Sequence, residues 1–399
     1  MRRTMIDVAI ALAVIALVWW NAVIFRAEYH YQKGLAERGK NRSESALRQF
    51  ELAAQILPQR AEYQRTLGQE SFRLYRPGQG NLRLLYQAHD AYQQVLKDDP
   101  QYPYGWFEMG KVLEEFSNAK VSGLPSPDAY FQRAVLIDPT NPRFLAGRLQ
   151  WELNQGKNPE QCWALFQELM KSYPQAITKF GGVMLKTDQD VIRLRQAMGS
   201  DNQANLAIAQ FLFKTGRNDL AFKQLEQISG PDSQDPRAAA LRAELLTAQG
   251  QTDLAKKTLR EALAQHPNDL ALVHPLFALL KKEGDWKAAI AVGERAFQAH
   301  PLSWDLPLAN ARLAREKGQM ELALKFYQEA LDTGKALPAY RREALLFRAE
   351  ARRNKGDLGG ALADYEKCLQ ITPDDQKIIM AIKTIGVQRE YDRDREKNP

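Results

Sequence analysis

Small residues, an aromatic or leucine and a proline recur at fixed spacing through most of this chain. Gly250, Ala255, Leu259, Ala262 and Pro267 return as Gly284, Ala289, Gly293, Ala296 and Pro301. Near the start, Gly34, Ala46, Phe50, Ala53 and Pro58 fit the same grid, and near the end Gly356, Ala361, Tyr365, Cys368 and Pro373 fit it again. A period of about 34 residues with small residues at set offsets restricts the chain to stacked helical hairpins. The small residues fall where two helices cross closely. Pro58, Pro100, Pro139, Pro174, Pro267, Pro301 and Pro373 each follow an apolar-periodic stretch, and proline cannot continue a helix. Gly216, Gly250, Gly284, Gly318 and Gly356 stand where the first helix of each hairpin needs a C-terminal glycine. One hairpin cannot bury its apolar face alone, so the units must stack.

With Leu67-Gly68, Trp106 and Gly110, and Ala134 and Pro139 added, this pattern resembles the tetratricopeptide repeat (TPR) family. The resemblance implies an all-α fold: a right-handed superhelix, or α-solenoid, of about nine helical hairpins. The units fall at 27–60, 61–102, 103–141, 142–175, 202–235, 236–269, 270–303, 304–337 and 340–375. The second carries an insertion around Tyr75–Gly80 and the third one around Ser122–Pro127. Residues 176–201 lack the repeat signature and are expected to form a degenerate hairpin or joint between sub-arrays at 27–175 and 202–375. Residues 376–399 are expected to give a closing helix, with Ile378, Ile379, Ile382 and Ile385 on its apolar face, then a frayed or disordered charged tail from Arg389.

Residues 1–26 carry the second signal. Met5 to Phe25 is apolar except for Asp7 and Asn21, long enough for one transmembrane helix. Trp19 and Trp20 lie near its far end, where indoles favour the interface. Arg2 and Arg3 precede the run and place the N-terminus in the cytoplasm; in a bacterium the repeats then face the periplasm. A cleaved signal peptide is the alternative. Its apolar region is usually shorter and ends in a small-x-small site, whereas this run ends Trp-Trp-Asn-Ala-Val-Ile-Phe-Arg.

The net charge of +7 is spread along the chain without a basic block, so nucleic acid is not an expected partner. The two cysteines, Cys162 and Cys368, fall at small core positions of distant hairpins and are expected to be buried thiols. The five histidines are scattered, and no metal-ligand spacing, nucleophile motif or phosphate loop occurs. No cofactor, metal or catalytic residue is expected.

In the resembled family the first helix of each hairpin lines the groove that carries ligand contacts. Carried over, those positions are Arg65, Phe72 and Arg73 in the second unit, then Tyr104, Phe107 and Lys111 in the third. Arg143 follows in the fourth, Arg312 and Arg315 in the eighth and Arg353 in the ninth. Arginine suits carboxylates and carbonyls, and aromatics anchor apolar side chains. The full Lys, Asn and Arg set with which the family grips chaperone C-termini is not seen in any adjacent pair of units. The expected job is a membrane-anchored scaffold for protein partners in an envelope complex. The opening repeats, Tyr31–Leu35 and Ala61–Gly68, are similar to the TPR tails of O-antigen ligase/polymerase proteins, which would imply surface-polysaccharide polymerisation or export. Envelope assembly or quality control, as in cytochrome maturation or beside a translocon, is the alternative, and a glycan-active enzyme a third.

Overall fold

The computed structural model describes residues 2–78, 81–156, 158–229 and 235–397. Gln79 and Gly80 of the first insertion lie outside the described residues. Every regular element among those described is helical. The chain forms two compact units, Met1–Ala207 and Ile208–Pro399.

In unit 1, α1 (Arg2–Gly39) pairs with α2 (Ser43–Ile56), and α3 (Ala61–Leu74) with α4 (Leu82–Asp98). Two more pairs follow: α5 (Pro103–Asn118) with α6 (Pro127–Ile137), and α7 (Pro142–Gln155) with α8 (Pro159–Ser172). A single 3₁₀ turn, Pro174–Ala176, then leads into the short helices α9 (Ile177–Met184) and α10 (Asp188–Met198). Helix α11 (Asn202–Lys214) crosses the boundary between units and precedes α12 (Asn218–Leu225). Unit 2 continues with the pairs α13 (Pro236–Ala248) and α14 (Thr252–Gln265), α15 (Leu270–Glu283) and α16 (Trp286–Ala299). After them come α17 (Asp305–Glu316) and α18 (Met320–Asp332), α19 (Pro338–Asn354) and α20 (Leu358–Ile371), and last α21 (Gln376–Lys397).

The turn chemistry explains this order. Helices α2, α4, α6, α8, α14, α16 and α20 each stop two residues before their closing proline, because the proline ring disfavours helical geometry in the residue ahead of it. Gly250 and Gly284 sit at φ 81° and 84°, the left-handed geometry that ends a helix and that side chains resist. A Cβ on Gly34 would lie 2.5 Å from the Phe50 ring, and one on Gly68 3.0 Å from Tyr92. The small positions of the repeat are thus the seats of the next helix's aromatic rings. Phe50, Tyr92, Phe326 and Tyr365 are buried, and so are Ala255, Ala289, Ala323 and Ala361. A fully buried Phe contributes about 1.5–3 kcal/mol through lost water contact.

Helix α10 opens on a capping box. Thr187 Oγ1 accepts from the Asp190 amide at 3.2 Å, and Asp190 Oδ2 from the Thr187 amide at 2.8 Å. The tail departs from expectation: α21 runs on to Lys397 rather than fraying at Arg389. Arg, Glu and Lys are good helix formers, and no proline intervenes before Pro399. Cys162 and Cys368 are buried.

Candidate partner-binding rows

The first helices of neighbouring hairpins lie side by side and bring their charged and aromatic side chains into rows. In unit 1 the row begins at Arg65 on α3, whose Nη1 donates to Tyr102 Oη at 3.2 Å while its guanidinium stands 5.3 Å from that ring. That hydrogen bond, outweighing burial, raises the Arg65 pKa. On α5, Glu108 is buried and serves two cations: Lys111 Nζ donates to Oε2 at 3.0 Å, and Arg143 Nη2 on α7 donates to Oε1. Lys111 also lies 4.8 Å from the Phe72 ring, and Arg143 5.9 Å from the Tyr104 ring. The Arg143 side chain remains 55% exposed and Lys111 33%. Tyr104 is 39% exposed, its ring edge-on to Phe144 at 4.9 Å. Beside this row, α7, the end of α8 and α9 enclose an open pocket of about 410 Å³ lined by Arg143, Ala146, Leu169, Ala176, Lys179 and Phe180.

Phe107 departs from its expected place on the groove surface. It is buried, its ring 5.7 Å from Phe131 and 5.2 Å from Phe144, and it fills the space left by Gly147. It belongs to the core between hairpins. Arg73 stands off the row, donating to Glu70 Oε1 at 2.5 Å and to Ser43 Oγ at 2.7 Å.

Unit 2 carries a row of similar composition. Arg312 on α17 grips Glu343 on α19 with two hydrogen bonds, Nε to Oε1 at 2.9 Å and Nη2 to Oε2 at 2.5 Å. Tyr327 Oη on α18 adds a third at 2.9 Å, and Arg315 donates to that phenol at 3.5 Å. The hydrogen bonds from Arg312, outweighing burial, hold the Glu343 carboxyl below its ordinary value, and burial pushes the Tyr327 phenol up to about 12. The Arg312 guanidinium covers Tyr340 at 5.2 Å, and Tyr340 stacks on Trp304 at 5.0 Å. Behind this row, buried Asp364 accepts from Arg348 at 2.6 and 2.8 Å and from Arg352 at 2.8 Å. Arg353 is exposed, about 15 Å along α19 from Glu343 at 1.5 Å per residue, outside the row.

Sequence reasoning missed Tyr102, Glu108, Glu343, Tyr327, Tyr340 and Trp304. Glu108 carried a usable signal, standing three residues before Lys111 on one helix face. The pairs Arg143–Glu108 and Arg312–Glu343 join residues 35 and 31 apart, close to one repeat period. Among the described residues no group of three His, Cys, Asp or Glu side chains is placed to hold a metal ion. One described helix, Leu12–Gly39 within α1, is long and apolar enough to cross a membrane, and its side chains from Leu12 to Trp20 are exposed.

Residues 276–341 and 308–376 match the tetratricopeptide repeat family. No protein of curated function matches. Among solved structures, YrrB, described as a TPR protein with an unusual peptide-binding site, is 17% identical over 48% of this chain and 97% of its own, with a TM-score of 0.35. MamA from Desulfovibrio magneticus RS-1 is 19% identical over 45% of this chain and 99% of its own, with a TM-score of 0.35. Yeast Tom70 is 10% identical over 91% of this chain and 96% of its own, with a TM-score of 0.39.

Proposed function

The chain carries tetratricopeptide repeats, and from that premise we propose that it is a non-catalytic scaffold, held in a bacterial membrane by Met5–Phe25, whose unit 1 row docks an acidic, extended segment of a membrane-associated protein. In this reading residues 1–26 are a cytoplasmic stub and anchor, 27–175 and 202–375 are periplasmic sub-arrays, 176–201 is the joint and 376–399 the cap. One observation carries the choice of ligand: Lys111 and Arg143 share a single carboxylate, Glu108, and Arg65 beside them is held by a phenol, Tyr102. The half-exposed Arg143 keeps donors free for a partner's carboxylates, Tyr104 offers a ring, and the adjoining pocket takes an apolar side chain.

The pathway we propose is surface-polysaccharide polymerisation or export, supported by the similarity of Tyr31–Leu35 and Ala61–Gly68 to repeats that follow the last membrane helix of O-antigen ligases. The test is crosslinking in cells followed by purification of the intact protein from membranes. Wild type is expected to retain a membrane protein that Arg143→Ala loses, and co-purification with a polysaccharide polymerase supports the pathway. A cytochrome-maturation or secretion protein in its place transfers the scaffold to that alternative. Recovery of no membrane partner, with a soluble form beginning near Arg26, overturns the scaffold.

A further inference from the structure

We propose that the turn between α2 and α3, Leu57–Arg60, rests in the phospholipid headgroup layer, so that the first hairpin is mounted on the bilayer at fixed height and rotation. The inference depends on reading Met5–Phe25 as the anchor, and it adds how the repeats are held above that anchor.

Helix α1 runs from Arg2 to Gly39 without a proline, so anchor and first repeat helix are one rod. The 21 residues of the apolar run span about 31 Å at 1.5 Å per residue, the thickness of a hydrocarbon core near 30 Å. Phe25 then marks the edge of the core. The packing of the first hairpin starts inside that edge: Val23 and Ile24 join the apolar cluster of Ala27, Ala53, Ala54 and Leu57.

Side-chain contacts set the register. Helix α2 returns antiparallel to α1, with His30 Nδ1 2.9 Å from Gln49 Oε1 and the Tyr31 ring 5.9 Å from Phe50. Seven or eight residues further along α2, Ile56 and Leu57 come level with Val23 and Ile24. Helix α3 leaves from the same level, where Tyr63 Oη donates to Glu28 Oε2 at 2.7 Å and Arg60 Nη2 stands 3.9 Å from that oxygen. Glu28 lies three residues beyond Phe25, about 4.5 Å along the helix and within a headgroup layer roughly 5–8 Å deep.

The exposed groups at this level suit phospholipid. Phe25 is 75% exposed and Tyr29 55%, as aromatic side chains at an interface would be. Arg26 and Arg60 are exposed, the Arg60 guanidinium standing 3.8 Å from Glu62 and 3.9 Å from Glu28, and in the proposed mount both meet phosphate, which a guanidinium binds through paired donors. The other end of the hairpin, at Lys40, lies about 22 Å further from the bilayer, beyond its reach.

The measurement uses the full chain in phosphatidylcholine/phosphatidylglycerol vesicles, with a fluorophore on Gln59→Cys or, as the distant control, on Lys40→Cys. Cys162 and Cys368 are buried, so each label reports one site. The Gln59 label is expected to be quenched several-fold more strongly by headgroup spin-labelled lipid than the Lys40 label, and to be shielded from aqueous iodide. A third variant with a flexible Gly/Ser insert between Arg26 and Ala27 is expected to abolish that contrast while staying in the vesicles. Equal iodide access and equal lipid quenching at both positions, in protein that floats with the vesicles, overturns the mount. Contrast that survives the insert overturns the rigid helix as its cause. Protein that does not float refutes the anchor itself, a separate failure.

Discussion

The two rows use the same kinds of residue and end in different states. In unit 2 every guanidinium near the row has a partner of its own chain: Arg312 has Glu343, Arg315 has Tyr327, and Arg348 and Arg352 share Asp364. Its aromatic pair, Trp304 and Tyr340, is stacked on itself. In unit 1 a single carboxylate answers Lys111 and Arg143, Arg65 takes a phenol, and Tyr104 keeps an exposed face. Unit 2 thus sets two carboxylates against its four guanidiniums and unit 1 one carboxylate against three cations; in the proposed function the surplus charge of unit 1 serves a partner.

The largest effect is expected at Asp364. Arg348 is only 12% exposed, so Asp364→Ala leaves a buried charge uncompensated and should cost unit 2 about 3–5 kcal/mol in denaturant unfolding. Glu108→Gln in unit 1, which frees exposed cations, should cost less than half as much, and equal costs would erase the distinction. Gly147→Ala comes next. Its Cβ would run into the Phe107 ring, which has no room to swing, and a cost of about 1–3 kcal/mol in unit 1 is expected, as for other overpacked sites. A neutral result would return Phe107 to the groove surface.

Arg143→Ala separates binding from folding. Because the guanidinium is half exposed, stability should change by less than about 1 kcal/mol. Partner affinity should fall by roughly 30-fold, the loss of a hot-spot arginine worth about 2 kcal/mol. Arg312→Ala, its guanidinium 47% exposed, should likewise cost less than about 1 kcal/mol, but it should leave affinity alone. The smallest expected effect is on acid stability. Hydrogen bonds from Arg312 hold Glu343 below its ordinary 4.5, so its stabilising contribution is full above that value and is lost as pH falls through the lowered one. Glu343→Gln should flatten the acid limb of the unit 2 melting curve; an unchanged limb would mean the pair contributes nothing.

The hairpins were legible because backbone chemistry announces them: prolines closed seven helices at the same offset, and glycines supplied the left-handed turns. The rows were half legible. First-helix arginines and aromatics could be placed by register, but their partners could not. Glu343 meets Arg312 across a hairpin boundary, and nothing local distinguishes it from a solvated glutamate. Phe107 was misplaced for a related reason: whether a ring faces the groove or the core depends on the Gly147 opposite, one hairpin away. The tail was misjudged because alternating charge suggests solvation, whereas its helix-forming residues need only continuity with α21 to stay helical.

The most direct measurement installs a photo-crosslinking phenylalanine at Tyr104, and in a parallel strain at Tyr340, in the intact membrane-anchored chain in cells. Irradiation is expected to give a crosslink to one membrane protein from position 104, lost with Arg143→Ala, and none from position 340. The same product from both positions, or from 340 alone, would contradict the assignment of unit 1 as the docking row.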